Sequence, residues 1–139
     1  MTEIFVITNN REFNDEIHSI LKTMVIGSST SAKEALPMLK QSNADIVILD
    51  LDMPNNTAVE FCSVVKNQLP DKKVVALTSQ LDSTLIFNTW MNLADAILMK
   101  DYIKEDLIDI IRDVIIGKRI LGRKVPEFYE ELKEYYKIT

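Results

Sequence analysis

The chain carries near its middle the segment Asp45-Ile-Val-Ile-Leu-Asp50-Leu-Asp52-Met-Pro54. Its apolar part is too short for a helix and is rich in Val and Ile, which favours a β-strand. Because this part is apolar at every position and not at alternate ones, we expect a strand covered on both faces, as in a parallel sheet. Asp50 and Asp52 follow where the strand ends. The segment therefore predicts a buried parallel strand that brings two carboxylates to one edge of a sheet.

Four similar apolar runs flank this central strand, which we place at Asp45 to Leu49. They cover Ile4 to Ile7, Met24 to Ile26, Lys73 to Leu77 and Ala96 to Met99. Stretches with helical spacing of apolar residues separate the runs, so strands and helices alternate. Parallel strands need a covering helix in each crossover, and such crossovers are right-handed. The sequence predicts an α/β fold with a five-stranded, doubly wound parallel sheet and helices on both faces.

Five helices are expected to accompany these strands. The first is predicted by one apolar stripe, which consists of Phe13, Ile17, Ile20 and Leu21. Ser31 with Glu34 predicts a capping box at the start of the second helix, and Pro37 should kink or shorten that helix. The others are indicated, in order, by Thr57 with Glu60, by the span Ser83 to Asn92, and by Leu107, Ile110, Ile111 and Val114 before Gly117.

Length and composition exclude several classes of protein. A chain of 139 residues fits one domain, and its net charge of -5 argues against nucleic acid as a partner for the whole surface. Cys62 is the only cysteine, which excludes an internal disulfide and favours a reducing compartment. The first residues do not have the pattern of a signal peptide, and no apolar run approaches the ~20 residues of a membrane span. We expect a cytoplasmic domain without membrane contact.

The pattern changes after Gly117, where no sixth strand is predicted. We expect a main domain over residues 1–120 and a helical C-terminal extension over 121–139, with Pro126 near the start of its helix. An apolar stripe could run along this helix through Val125, Tyr129, Leu132 and Tyr136. A local basic patch comprises Lys118, Arg119, Arg123 and Lys124. It could touch nucleic acid, but a solvated hinge is the preferred interpretation.

Polar side chains end four of the five predicted strands. They are Thr8, Asn9 and Asn10 after the first, Asp50 and Asp52 after the third, Thr78 and Ser79 after the fourth, and Lys100 after the fifth. In a doubly wound sheet, ligands bind beyond the carboxyl ends of the strands. A carboxylate can attack phosphorus, and a hydroxyl and an ammonium group can stabilise the anionic oxygens that result. The pattern indicates phosphoryl chemistry centred on Asp50.

Three segments resemble the receiver domain of two-component response regulators. They are Asp45 to Pro54, Val74-Val-Ala-Leu-Thr78-Ser79 and Leu93-Ala-Asp-Ala-Ile-Leu-Met-Lys100. The resemblance covers roughly residues 1–117. Lys100-Asp101 and the helix after it are most similar to the subgroup fused to helix-turn-helix output domains, which implies a role in controlling transcription. We expect no DNA binding by this domain itself.

The resemblance implies a flavodoxin-like strand order of 2-1-3-4-5 and assigns roles to three residues. Asp50 would accept a phosphoryl group from a histidine kinase, Lys100 would pair with one phosphoryl oxygen, and Thr78 would hydrogen-bond another. The domain would act as a regulatory switch, with self-catalysed phosphorylation of Asp50 as its most enzyme-like activity. Partners would be the kinase or another regulatory protein. A homodimer could form through the face of the fourth helix, fifth strand and fifth helix, or through the C-terminal helix.

The sequence also departs from the family pattern. Thr8 and Asn9 replace two adjacent acids that hold Mg²⁺, a hard cation that prefers carboxylate oxygens. Asp50, Asp52 and Asn9 remain as candidate ligands, so we expect a weak or absent Mg²⁺ site and no other cofactor. Ile97 replaces the aromatic residue that usually reports phosphorylation. Leu93 and Ala96, as well as Ala58 after the third strand, replace glycines. These differences indicate an atypical receiver.

Three alternatives stay open from the sequence. The domain could respond to phosphorylation of Asp50, or it could be a pseudo-receiver controlled by partners or dimerisation. Asp50-Leu-Asp52 also resembles the Asp-x-Asp motif of haloacid-dehalogenase-like phosphatases, in which the first Asp is the nucleophile and the second the general acid/base. That motif normally lies on the first strand, whereas two strand-helix units precede it here. Trp90 and Phe87 on the fourth helix could belong to the core or to an interaction surface.

Overall fold

A computed structural model describes residues 1–54, 57–127 and 130, and it contains one parallel sheet. The strands lie in the order β2-β1-β3-β4-β5-β6, and every neighbouring pair is parallel. The elements are, in chain order, β1 (Ile4–Ile7), α1 (Arg11–Leu21), β2 (Val25–Ser29), α2 (Ala32–Lys40), β3 (Ile46–Asp50), α3 (Thr57–Gln68), β4 (Lys73–Thr78), α4 (Ser83–Met91), β5 (Ala96–Met99), α5 (Ile103–Ile115) and β6 (Ile120–Leu121). The predicted order 2-1-3-4-5 is confirmed, with one strand added at the β5 side.

Two apolar layers cover the sheet. On one face α1 and α5 pack against it, through residues that include Phe13, Ile17, Leu107 and Val114. On the other face α2, α3 and α4 do so, through residues that include Leu39, Phe61, Val65 and Ile86. All residues of β1, β3 and β5 are buried, which accounts for the absence of alternation in their sequences.

The strand β2 lies further along the chain than the sequence predicts. It covers Val25–Ser29, whereas Met24 belongs to a short 3₁₀ turn after α1. The prediction missed the end of this strand because Gly27, Ser28 and Ser29 are small or polar. Gly27 is required by packing, since a Cβ at this position would lie 2.9 Å from ring atoms of Phe5 on the neighbouring strand.

Side-chain caps fix the starts of three helices. Ser31 accepts a hydrogen bond from the backbone N–H of Glu34 at 3.1 Å, which confirms the predicted cap of α2. Asn10 caps α1 and Asp82 caps α4 in the same way. Pro37 lies inside α2, which has nine residues.

The expectation that no strand follows α5 is wrong. Ile120 and Leu121 form β6, which pairs with β5 through hydrogen bonds from Ile120 N–H to Asp95 O at 2.9 Å and from Gly122 N–H to Ile97 O at 2.8 Å. Two residues are too few to produce a strand pattern in the sequence. β6 crosses the predicted domain boundary at residue 120. Beyond it Val125 is fully buried, and the rest of the predicted apolar stripe lies outside the described residues.

Two arginines attach the segment after α5 to the neighbouring helices. The Arg119 guanidinium lies 3.6 Å from the centre of the Trp90 ring and donates to the carbonyl oxygens of Trp90 and Ala94, each at 2.9 Å. The Arg123 side chain forms a two-pronged ion pair with Asp106 on α5, at 2.7 and 2.8 Å. Both arginines are exposed to solvent, as the solvated-hinge interpretation expects, but each also has specific partners on the main domain. Trp90 itself is half-buried against the core.

Replacing Arg119 by alanine should loosen the C-terminal end of α4. The loss of a stacked guanidinium and its carbonyl hydrogen bonds is expected to lower the free energy of unfolding by about 1–2 kcal/mol. Trp90 is the only tryptophan, so its fluorescence should also change in the folded state. Urea unfolding of Arg112→Ala is the control, because Arg112 and its partner Asp109 are 76% and 75% exposed. Equal effects of the two substitutions would contradict the anchoring role of Arg119.

Candidate functional site

The carboxyl ends of four strands meet at one edge of the sheet. β1 ends just before Thr8, β3 ends with Asp50, β4 ends with Thr78, and Lys100 follows β5 directly. The sheet register places Asp50 beside Leu77 and Thr78 beside Met99, so these ends lie at nearly the same level. The predicted strand-end residues are thus brought together at the edge of the sheet where ligands bind in doubly wound folds.

Asp50 lies at the centre of the site and is only 1% exposed. Its Oδ2 accepts a hydrogen bond of 2.6 Å from the Thr8 hydroxyl, and its Oδ1 accepts one of 2.8 Å from the backbone N–H of Asp52. Lys100 Nζ lies 2.9 Å from the same Oδ1. Burying a carboxylate is costly unless hydrogen bonds and an opposite charge compensate, and Asp50 has three such partners.

One lysine serves both carboxylates. Lys100 Nζ is 2.9 Å from Asp50 Oδ1 and 2.9 Å from Asp52 Oδ2, and its side chain is 15% exposed. The same ammonium group lies 4.1 Å from the centre of the Phe13 ring, which presents its electron-rich face to the cation. Lys100 is thus the counter-charge of an acid pair and has a restricted position.

Asp52 turns its side chain back toward the strand ends. Its carboxylate accepts hydrogen bonds from the Thr78 hydroxyl at 3.2 Å and from the Ser79 backbone N–H at 3.0 Å. Partial burial raises the pKa of Asp52, but the hydrogen bonds from Lys100 and Ser79 and the charge of Lys100 outweigh it, and this pKa lies below its ordinary value. Asp52 is therefore ionised in the site near neutral pH.

An open cleft of about 400 Å³ gives access to these groups. Asp50, Asp52, Ser79 and Lys100 line it, together with Asn9. The remaining lining residues are Asn10, Glu12, Phe13, Glu16 and Ile103. Of the polar residues predicted at the strand ends, all except Thr8 and Thr78 line the cleft. Thr78 is fully buried behind it and reaches the site through its hydroxyl contact with Asp52.

Thr8 is the site residue whose role the sequence did not predict. It stands where the family pattern has an acid, yet its hydroxyl makes the shortest hydrogen bond that Asp50 receives. Its backbone N–H is bonded to Ser29 O at 3.1 Å, and its side chain is 4% exposed. One feature of the sequence could have predicted this role. Thr8 is a residue with a hydroxyl group that directly follows a buried strand, at the same edge of the sheet where β3 ends with Asp50.

The donor atoms around the cleft are a poor match for Mg²⁺. Asp50, Asp52 and Asn9 do come together there, but they supply two carboxylates and one amide. Both carboxylates already share the ammonium group of Lys100. Within residues 1–54, 57–127 and 130, no group of three His, Cys, Asp or Glu side chains could hold a metal ion. Mg²⁺ prefers a near-octahedral set of oxygens, and the charge of Lys100 opposes its approach.

The Cys62 thiol belongs to the core and not to the site. Burial, with the nearby charge of Asp95, raises its pKa to about 12, and its Sγ contacts Asn92 O at 3.3 Å. A thiol that stays protonated is a weak nucleophile, so Cys62 has no role in the chemistry at the strand ends.

Comparison with known proteins agrees with this architecture. The family described as "Response regulator receiver domain" matches residues 4–112. The response regulator proteins VraR of Staphylococcus epidermidis and Staphylococcus aureus are each 27% identical over 121 residues, which are 79% of this chain and 58% of the relative. The chain thus spans less than two thirds of the length of these relatives.

Solved structures share the fold. A two-component response regulator of the LuxR family from Aurantimonas has a TM-score of 0.85 at 16% identity, with 96% of this chain and 99% of that chain covered. The isolated receiver (REC) domain of RcsB from Salmonella enterica serovar Typhimurium has a TM-score of 0.82 at 16% identity, with 94% and 99% covered. Among the described residues, no helix is long and apolar enough to cross a membrane. With its family match, fold and strand-end residues in agreement, the chain belongs to the response regulator receiver domains of two-component signalling.

Proposed function

We propose that this receiver is an atypical phosphorylation switch in which Asp50 accepts a phosphoryl group and Mg²⁺ contributes little. The observation that carries the proposal is the lysine-bridged pair of Asp50 and Asp52 at the base of an open cleft. Lys100 supplies the positive charge that the attacking carboxylate and the transferred group need. Thr78 and the Ser79 N–H supply the neighbouring hydrogen-bond donors.

The chemistry requires one bond to form and one to break. An Asp50 carboxylate oxygen forms a bond to phosphorus, while the bond from phosphorus to the donor breaks and the donor leaves with that electron pair. The donor would be a phosphohistidine of a kinase or a small acyl phosphate. The product adds negative charge beside Asp52, and Lys100 is the cation placed to offset it. We propose no catalytic turnover beyond this self-phosphorylation.

Regulatory partners are proposed from the similar proteins, from the net charge of the domain and from the edge of its sheet. VraR is a response regulator and RcsB has been solved in complex with DNA, and by analogy we propose a role for this receiver in transcriptional control. This domain carries a net charge of -5 and is not itself proposed to bind DNA. A homodimer through α4, β5 and α5 would have to include β6, because β6 pairs with the β5 edge.

A pseudo-receiver controlled by partners is the second candidate. It is favoured by Thr8 and Asn9 at the end of β1 and by Ile97, which is fully buried on the α2, α3 and α4 side of the sheet. An aliphatic side chain in that position cannot report phosphorylation as an aromatic residue would. A phosphatase is not proposed, because Asp50 ends the third strand along the chain and not the first.

The test is intact-mass analysis after incubation with a small acyl phosphate. We expect one phosphoryl group on the wild-type chain and none on Asp50→Ala or on Asp50→Asn, which keeps the side-chain shape. Asp71→Ala is the matched control, since it removes an exposed acid before β4, at the opposite edge of the sheet. An adduct that persists without Asp50 would contradict the proposal. Absence of any adduct would leave the pseudo-receiver.

A further inference from the structure

Three hydrogen-bond donors converge on the carboxylate of Asp52. Lys100 Nζ reaches Oδ2 at 2.9 Å, the Thr78 hydroxyl reaches Oδ1 at 3.2 Å, and the Ser79 N–H reaches both oxygens at 3.0 and 3.3 Å. These donors come from two different strands and lie beside Asp50. They are the donors that the proposed function assigns to a phosphoryl group on that residue.

Asp52 reaches this position because of the turn after β3. Its backbone N–H donates to Asp50 Oδ1 at 2.8 Å, which bends the chain back over the strand end. The short Asp side chain then spans the gap to β4, where Thr78 ends the strand and Ser79 follows it. Both of its oxygens are engaged by these donors and by Lys100, which leaves them poorly placed to bind a metal ion.

We propose that Asp52 is a built-in anion that occupies the phosphoryl-binding donors of this receiver. While its carboxylate holds Lys100, Thr78 and Ser79, those groups are already satisfied, and an incoming phosphoryl group must displace it. Asp52 therefore slows phosphorylation of Asp50 and keeps Thr78 bonded toward the site without phosphate. The part that concerns phosphorylation rests on the proposed function, and the part that concerns anion occupancy does not.

Charge strengthens this competition. Asp50, Asp52 and Lys100 together carry one net negative charge, so the single lysine is already shared between two acids. A phosphoryl group adds further negative charge at the same place. Removing the Asp52 carboxylate would leave Lys100 paired with Asp50 alone, and it would free the Ser79 N–H and the Thr78 hydroxyl for the phosphoryl group.

The first test measures anion binding. The protein is titrated with orthophosphate, and NMR monitors the chemical shifts of the backbone amides. In Asp52→Ala we expect a saturable change in the chemical shift of the Ser79 amide. In the double variant Asp52→Ala with Lys100→Met, we expect no such change. In the wild-type chain we expect no saturable shift over the same concentrations. Equal binding by wild type and Asp52→Ala would overturn the proposal, and so would binding by neither.

The second test is the initial rate of phosphorylation by a small acyl phosphate. Asp52→Ala should be phosphorylated about tenfold faster than wild type. A tenfold change in rate corresponds to about 1.4 kcal/mol in the barrier, which is close to the energy of one hydrogen bond to a charged group. Asp71→Asn is the control, since it removes the charge of an exposed acid before β4, at the opposite edge of the sheet from the cleft. An unchanged rate in Asp52→Ala, with a phosphorylated wild type, would overturn the slowing role of Asp52.

Together, the two tests distinguish a failure of the Asp52 proposal from a failure of the proposed phosphorylation of Asp50. If orthophosphate binds Asp52→Ala but no variant is phosphorylated, Asp52 is the anion and Asp50 is not a phosphoacceptor. Asp52→Ser guards against misfolding of the alanine variant, because it keeps a small polar group in the turn. Thermal unfolding of each variant establishes that the native fold is retained before the titrations are compared.

Discussion

Lys100→Met is expected to lower the free energy of unfolding by about 3 kcal/mol, because it strips a buried carboxylate of its counter-charge. Asp50 is 1% exposed and would keep only the Thr8 hydroxyl and the Asp52 N–H as partners. Methionine retains an apolar stem against Phe13 but not the cation over its ring. The free energy of unfolding is measured by urea denaturation at neutral pH, with circular dichroism as the probe.

Two further variants make this result specific. Lys104→Met removes an exposed lysine from the first turn of α5 and should change stability by no more than about 0.5 kcal/mol. Adding Asp52→Asn to Lys100→Met should recover part of the loss, since one of the two unpaired charges is then gone. If the Lys100 and Lys104 variants are equally stable, the ion-pair geometry at the strand ends is wrong.

The double substitution Thr8→Asp with Asn9→Asp should raise the affinity for Mg²⁺ at least tenfold. It adds two carboxylates beside Asp50, whose Oδ2 lies 2.6 Å from the Thr8 hydroxyl oxygen. Two unit charges at contact distance interact by about 4 kcal/mol at an effective dielectric of 20, so the new acids should also destabilise the metal-free protein. Mg²⁺ should restore its stability, because ligands that bind only the folded state stabilise it.

Thermal unfolding across a series of Mg²⁺ concentrations measures this effect. Thr8→Asn is the matched control, since asparagine has nearly the shape of aspartate without its charge, and it should show little Mg²⁺ dependence. A double variant with the Mg²⁺ response of the wild-type chain would mean that residues 8 and 9 do not face Asp50, which would contradict the placement of β1.

The sequence was sufficient to predict much of the sheet and the meeting of Asp50, Thr78 and Lys100. Each of these residues ends or follows a strand that is buried at every position except Lys73 at the start of β4, and parallel strands bring their carboxyl ends to one edge. The prediction needs only the strand positions, which the unbroken apolar runs reveal. It does not depend on side-chain orientation.

The orientation of polar side chains was beyond such reasoning. Asp52 was predicted as a possible metal ligand, but its carboxylate bonds Lys100, Thr78 and Ser79, because the turn after β3 bends it toward β4. Thr8 donates to Asp50 through a contact between residues 42 positions apart in the sequence. No periodic pattern encodes contacts of this kind.

Weak local signals explain the errors in the strands. β2 ends in small and polar residues, which hide it from a search for apolar runs. β6 has two residues and depends on the β5 edge and on Gly122, whose absent Cβ would otherwise lie 2.9 Å from Leu98 Cδ1. Both strands are specified by their neighbours in the sheet more than by their own composition.

The most direct test compares phosphorylation of Asp50 in the presence of Mg²⁺ and of a chelator. Intact-mass analysis follows the initial rate with a small acyl phosphate under both conditions. If Lys100 is the main counter-charge of the acid pair, one phosphoryl group should be added in both, at rates that differ by less than about tenfold, a factor that corresponds to roughly 1.4 kcal/mol in the barrier. Phosphorylation that occurs only with Mg²⁺, or that fails in both conditions, would contradict a lysine-neutralised phosphoacceptor site.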